Sequence, residues 1–175
     1  MRVAMPVTRR SLIAAAGVVA LGSAADAASL RPFRADVAAP ALSLPRLGDG
    51  RASLDDALGR TIVVSFWATW CAPCRRELPS LLRLQVDLRE AAMVIAVAVG
   101  EPAERVGPYL DRGGLRGLDV ALDVSRVAAS EWRVQSLPQS YVLDRQRRIA
   151  FSALGEVDWD DPAVRGQLTG LAPAG

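Results

Sequence analysis

Two hydrophobic stretches divide the chain, Thr61 to Trp67, polar only at Thr61 and Ser65, and the fully apolar Met93 to Val99, each the length of one strand and rich in β-branched residues. Runs of this kind, without alternating polar positions, suit strands covered on both faces. Between them the period changes: Leu78, Leu81, Leu82, Leu84 and Leu88 recur at helical spacing and predict a helix from Pro73 to about Glu90. Pro79 lies inside it and should kink it one turn in. Upstream, Ala41 to Leu44 reads as a short strand, Gly48-Asp49-Gly50 as a turn, and Ser53 to Gly59 as a brief helix with Ser53 at its N-cap. Downstream, helices are expected from Pro102 to Arg112, Ser125 to Trp132 and Asp161 to Leu171. Further strands are expected from Leu118 to Leu122 and in a hairpin of Tyr141 to Leu143 with Arg148 to Leu154. Strands alternating with helices and finishing in a hairpin predict an α/β fold, a three-layer α/β/α sandwich with a mixed central sheet. There is no internal repeat and no second domain.

The pattern before Pro40 differs. Ten residues ending in Thr8-Arg9-Arg10 lead into an uncharged stretch from Ser11 to Ala25, and the small residues Ala25 and Ala27 flank Asp26 ahead of a cut before Ala28. Fifteen uncharged residues fall short of the roughly 20 that a membrane-spanning helix needs, so residues 1–27 read as a secretory signal peptide. Thr8-Arg9-Arg10-Ser11-Leu12-Ile13 resembles the twin-arginine signal. Residues 28–39 read as a linker or arm and 40–175 as the folded domain. The domain is expected to work in the periplasm, the alternative being a short anchor to the outer face of the inner membrane. Losing Arg2, Arg9, Arg10 and Asp26 leaves 18 arginines against 18 acids. The positive charge thus belongs to the signal, and no basic field remains to attract nucleic acid.

Composition then removes most chemistries. The chain of 175 residues contains no histidine, its 21 cations are all arginine, and it has two cysteines. Imidazole bases, Schiff-base and P-loop lysines, and zinc sites built on several thiolates or imidazoles within one chain are excluded. Carboxylate chemistry, cysteine chemistry and binding remain. Both cysteines lie in Cys71-Ala72-Pro73-Cys74, between a predicted strand and a predicted helix. A helix N-terminus offers unpaired N–H groups and partial positive charge, which stabilise a thiolate. Cys71 is expected at the N-cap with a lowered pKa and an exposed sulfur, and Cys74 one turn inside and shielded. Cys71 would then attack a disulfide and Cys74 resolve the mixed disulfide, without base or metal. A purely structural disulfide across two residues constrains the unfolded chain little, and a zinc site shared between two subunits would need carboxylates or the partner's own thiolates as its other ligands.

The stretch from Ser65 to Pro79, with Ala39 to Leu44, Ser136 to Asp144 and Gly155 to Trp159, resembles the thioredoxin superfamily, specifically its TlpA/ResA-like extracytoplasmic thiol-disulfide oxidoreductases. The resemblance covers Pro40 to Leu171. It implies that Pro138 is cis and faces the active-site disulfide, that Leu137 offers backbone hydrogen bonds to a substrate strand, and that Trp70, Ala72 and Pro73 flank the substrate. It also places Glu77 near the site, where the carboxylate could take the proton of Cys74; the alternative is that it complements the helix dipole. No acid stands in the strand from Thr61 to Trp67, where cytoplasmic thioredoxins carry a buried aspartate, so Glu77 is the only candidate relay. Trp67 and Phe66 are expected to pack, Asp158 and Trp159 to be structural, and Arg147 to stand where relatives commonly carry a turn glycine. No cofactor is implied. The implied partners are protein thiol or disulfide substrates and a membrane electron donor of the DsbD/CcdA kind, with the protein a monomer. An uncharged Ala-Pro between the cysteines favours a reductant, with apocytochrome c thiols or copper-site cysteines as the implied substrates. The alternatives are a periplasmic oxidase or isomerase, and a thioredoxin-fold module binding Cu(I) through the two sulfurs.

Overall fold

The two apolar runs form β4 (Thr61–Trp67) and β5 (Ala92–Val99), parallel neighbours in register from Thr61 opposite Ala92 to Trp67 opposite Ala98. The computed structural model describes residues 29–57 and 59–171, so the signal read over residues 1–27 lies outside the described residues. Around the central pair, β6 (Val120–Asp123) adds in parallel beside β5. On the other side β7 (Gln139–Leu143), β8 (Ile149–Leu154) and β1 (Arg31–Pro32) add antiparallel in that order. A two-stranded ribbon, β2 (Ser43–Pro45) with β3 (Arg51–Ser53), lies beside β6, joined to it by a bridge between Arg46 and Ala121, and is followed by a single 3-10 turn at Leu54–Ala57. The sheet is mixed, as the sequence predicts, and it is thioredoxin-like in its central order.

Successive residues of β4 point to opposite faces, and every one is buried. Val63 and Trp67 pack with Leu78, Leu81 and Leu84 of α1 (Ala72–Asp87), Val106 and Leu110 of α2 (Ala103–Arg112), and Val164 and Leu168 of α4 (Pro162–Gly170). Ile62, Val64 and Phe66 pack on the opposite face with Leu54, Trp132 and the alanines of α3 (Val127–Glu131). Ser65 falls on the α1 face, the one polar residue within the run after Thr61. Helix α1 continues through Pro79, whose missing N–H leaves the Arg75 carbonyl without its usual donor. Among the described residues no helix is long and apolar enough to cross a membrane.

Residues 29–39, expected as a linker or arm, run along the edge of the sheet. Phe33 N–H donates to Ala150 O, Ile149 N–H to Val37 O and Ala39 N–H to Arg147 O, and Leu30 is buried in the core. Without this arm β8 would present an open edge of unpaired peptide groups. Pro32 suggests a break in sequence, but a proline is tolerated on an edge strand, where its missing donor can face solvent. Arg147 adopts a left-handed backbone, φ +63°, so the β7–β8 turn keeps the geometry a glycine would supply. The Asp144 side chain stabilises it by accepting the N–H groups of Gln146 and Arg148.

Candidate active site

β4 delivers the chain to Ala68-Thr69-Trp70, and α1 begins at once. Cys71 is its N-cap, with extended backbone (φ −81°, ψ 108°), and the Cys74 N–H donates to Cys71 Sγ at 3.3 Å. Ala72 and Pro73 fill the first turn, where the missing N–H of Pro73 sacrifices no helical bond. Cys71 and Cys74 are joined in a disulfide with Cα atoms 5.3 Å apart. Cys71 is 5% exposed and Cys74 1%. The order of accessibility is the expected one, but Cys71 as a residue is far less open than its N-cap position suggested. Trp70 beside it is 65% exposed, while Phe66 and Trp67 are packed in the core.

Glu77 lies in the second turn of α1 and points inward, 2% exposed. Four donors converge on it. Trp159 Nε1 donates to Oε1 at 2.8 Å, Ser65 Oγ at 3.2 Å and Ser140 Oγ at 3.4 Å, and the Val157 N–H donates to Oε2 at 3.3 Å. Ser65 and Ser140 are direct partners across the β4–β7 ladder, so pairing alone brings both hydroxyls under the same carboxylate. Burial pushes the Glu77 carboxyl up to about 7, against the pull of these hydrogen bonds toward the ionised form. Trp159, expected to be structural, is fully buried and makes the shortest bond to this acid. Its signal in sequence is an aromatic among Asp158, Asp160 and Asp161. Ser140 gives no signal until the register is known.

Pro138 follows Leu137 through a cis peptide bond and is buried immediately before β7, whose first residue Gln139 pairs with Phe66. This puts the cis-proline at the end of the sheet where β4 releases the chain toward Cys71. Leu137 is partly exposed, and among the described residues its peptide N–H and C=O take no backbone partner. The Pro138 carbonyl is held by the N–H of Gly155, whose φ of +105° strongly favours glycine. Gly155→Ala is expected to cost about 1–3 kcal/mol of stability, read as a lower denaturation midpoint.

A second buried acid was not anticipated. Glu101, just past β5, accepts from Thr69 through both oxygens, 2.7 Å from the backbone N–H and 2.6 Å from the hydroxyl. Its sequence signal is slight, an acid and a glycine ending an apolar strand. Among the described residues no group of three or more Cys, Asp or Glu is placed to hold a metal ion.

The AhpC/TSA family model matches residues 35–152. The thiol-disulfide oxidoreductase ResA of Geobacillus thermodenitrificans is 27% identical over 136 residues, covering 77% of this chain and 76% of the relative. The thiol:disulfide interchange protein HelX of Rhodobacter capsulatus is 32% identical over 180 residues, covering 93% and 98%. Among solved structures, a protein from Chlorobium tepidum described as a candidate thiol:disulfide interchange protein DsbE superposes with a TM-score of 0.71 at 25% identity. It covers 82% of this chain and 99% of its own. With a paired Cys-x-x-Cys at a helix N-terminus and these relatives along most of its length, the chain belongs to the AhpC/TSA family and is a thioredoxin-fold thiol-disulfide oxidoreductase.

Proposed function

We propose that this oxidoreductase acts as a protein-disulfide reductase in the periplasm, with Cys71 as attacking thiol, Cys74 as resolving thiol and Glu77 as proton acceptor. The observation that carries the reading is the stacking of these groups: a sulfur at a helix N-cap receiving an N–H, its partner one turn inside, and an acid with a pKa near neutrality on the same helix face. In the reduced protein the Cys71 thiolate attacks a substrate disulfide, forming a mixed disulfide and expelling one substrate thiolate. Cys74 passes its proton to the Glu77 carboxylate and attacks Cys71 Sγ. The Cys71–Cys74 bond forms, the second substrate sulfur leaves as thiolate, and the two electrons end in the substrate. The proton on Glu77 then passes to solvent or to a leaving thiolate.

Trp70, the Ala72-Pro73 pair, and the peptide groups of Leu137 ahead of Pro138 supply the contacts for an extended substrate segment. The absence of charge between the cysteines favours the reducing direction, and the export signal read in residues 1–27 favours the periplasm. Substrates in that setting are apocytochrome c thiol pairs or copper-site cysteines, and re-reduction falls to a membrane donor of the DsbD/CcdA kind. Equilibration with glutathione or dithiothreitol buffers gives the reduction potential. The expected value is well below that of the strong oxidants, and a value near −120 mV would make the protein an oxidase.

A further inference from the structure

β4 and β5 end side by side, with Trp67 opposite Ala98, so the loop leading to Cys71 runs next to the residues that follow β5. Glu101 is there, 3% exposed, and both its oxygens are taken by Thr69. The nearest cation, Arg105, has its Nε 3.9 Å away on a largely exposed side chain, where an ion pair contributes little. Burying a carboxylate is costly unless its hydrogen bonds are good, and here they are short, directed, and spent on one loop residue. The Thr69 N–H and the Ala68 C=O belong to one rigid planar peptide unit. Glu101 holds the N–H end of that unit, and the Cys71 N–H donates to its C=O end at 3.1 Å.

We infer that Glu101 is a positioning residue for Cys71, acting through the Ala68–Thr69 peptide to hold the attacking sulfur at the helix N-cap. Releasing the carboxylate lets that peptide plane turn and Cys71 leave the cap. Its sulfur then loses the Cys74 N–H, and less thiolate is present to attack. The inference rests on Cys71 being the attacking thiol, and alkylation of the reduced parent protein tests that separately. Modification falling on Cys74 would remove that reading before the role of Glu101 is reached.

The experiment compares the parent with Glu101→Ala, Glu101→Gln, Thr69→Val and the Thr69→Val/Glu101→Ala double variant. The readouts are the ultraviolet titration of the Cys71 thiolate and the rate of exchange with glutathione disulfide. Glu101→Ala is expected to raise the pH at which Cys71 ionises and to slow exchange by about tenfold or more. The double variant should be no slower than Glu101→Ala, because both remove one linkage. Glu101→Gln, which keeps an oxygen for the Thr69 N–H, should recover most of the rate. Should Glu101→Ala fail to fold, Glu101→Asp, which keeps the charge but shortens the reach, is measured the same way. Unchanged titration and rate alongside a lowered melting temperature would reduce Glu101 to a stabilising contact and overturn the inference.

Discussion

Cys71→Ala is expected to lose exchange activity completely, whereas Cys74→Ala should still attack and then stop with its partner attached. The asymmetry follows from the helix terminus. Cys71 has the N-cap position and the Cys74 N–H on its sulfur, while Cys74 is nearly inaccessible and sits where its best reachable target is Cys71 itself. A mixed disulfide formed at Cys71 is normally short-lived because the resolving thiol is one helical turn away. Without that thiol, release waits for an external reductant. Non-reducing electrophoresis with mass spectrometry of Cys74→Ala, incubated with a disulfide-bonded protein and then recovered from cells, should show adducts on Cys71 alone. The same variant recovers the physiological substrate. Residual turnover in Cys71→Ala, or adducts on Cys74 in that variant, would reverse the assignment of attacker and resolver.

The central strands, α1 and the cysteine pair were legible in sequence because each is specified locally. An unbroken β-branched run, leucines at helical spacing and two sulfurs at the junction need no tertiary knowledge. The edge pairing of the arm was missed because Pro32 carries the signature of a break, and only the unsatisfied edge of β8 explains why a strand forms there. Glu77 was picked out through the resemblance, but what holds it lay beyond reach. Ser65 and Ser140 meet only through antiparallel register across β4 and β7, and Trp159 arrives from a segment 82 residues away. The clamp of Glu101 on Thr69 is invisible for the same reason, since parallel neighbours β4 and β5 bring residues 32 positions apart into contact. What escaped the sequence is the set of long-range polar contacts, which are settled by register and burial rather than by local pattern.

Those polar contacts make the second large effect one of pH. Glu77→Gln is expected to slow the resolving step by roughly a hundredfold near neutral pH, the usual size of a lost positioned proton acceptor. In the parent the step should accelerate as pH rises through about 7, where the buried carboxyl ionises, and that limb should vanish in the variant. Stability should move the other way. The folded carboxyl holds its proton up to about 7, the unfolded one only to the ordinary glutamate range near 4.5. The contribution is therefore fully present below the unfolded value and is lost as pH rises through that window, by about 1.4 kcal/mol per pH unit, or roughly 3 kcal/mol in all. Denaturant titrations of the oxidised protein at pH 5 and pH 8 should accordingly show the parent losing stability relative to Glu77→Gln as pH rises. Trp159→Phe supplies the converse: it keeps an aromatic side chain and removes the shortest donor to the carboxylate, so the kinetic limb should shift to higher pH rather than disappear. A limb that stays in place in both variants would assign the titration to another group, and Glu77 would then be a buried acid with no part in moving the Cys74 proton.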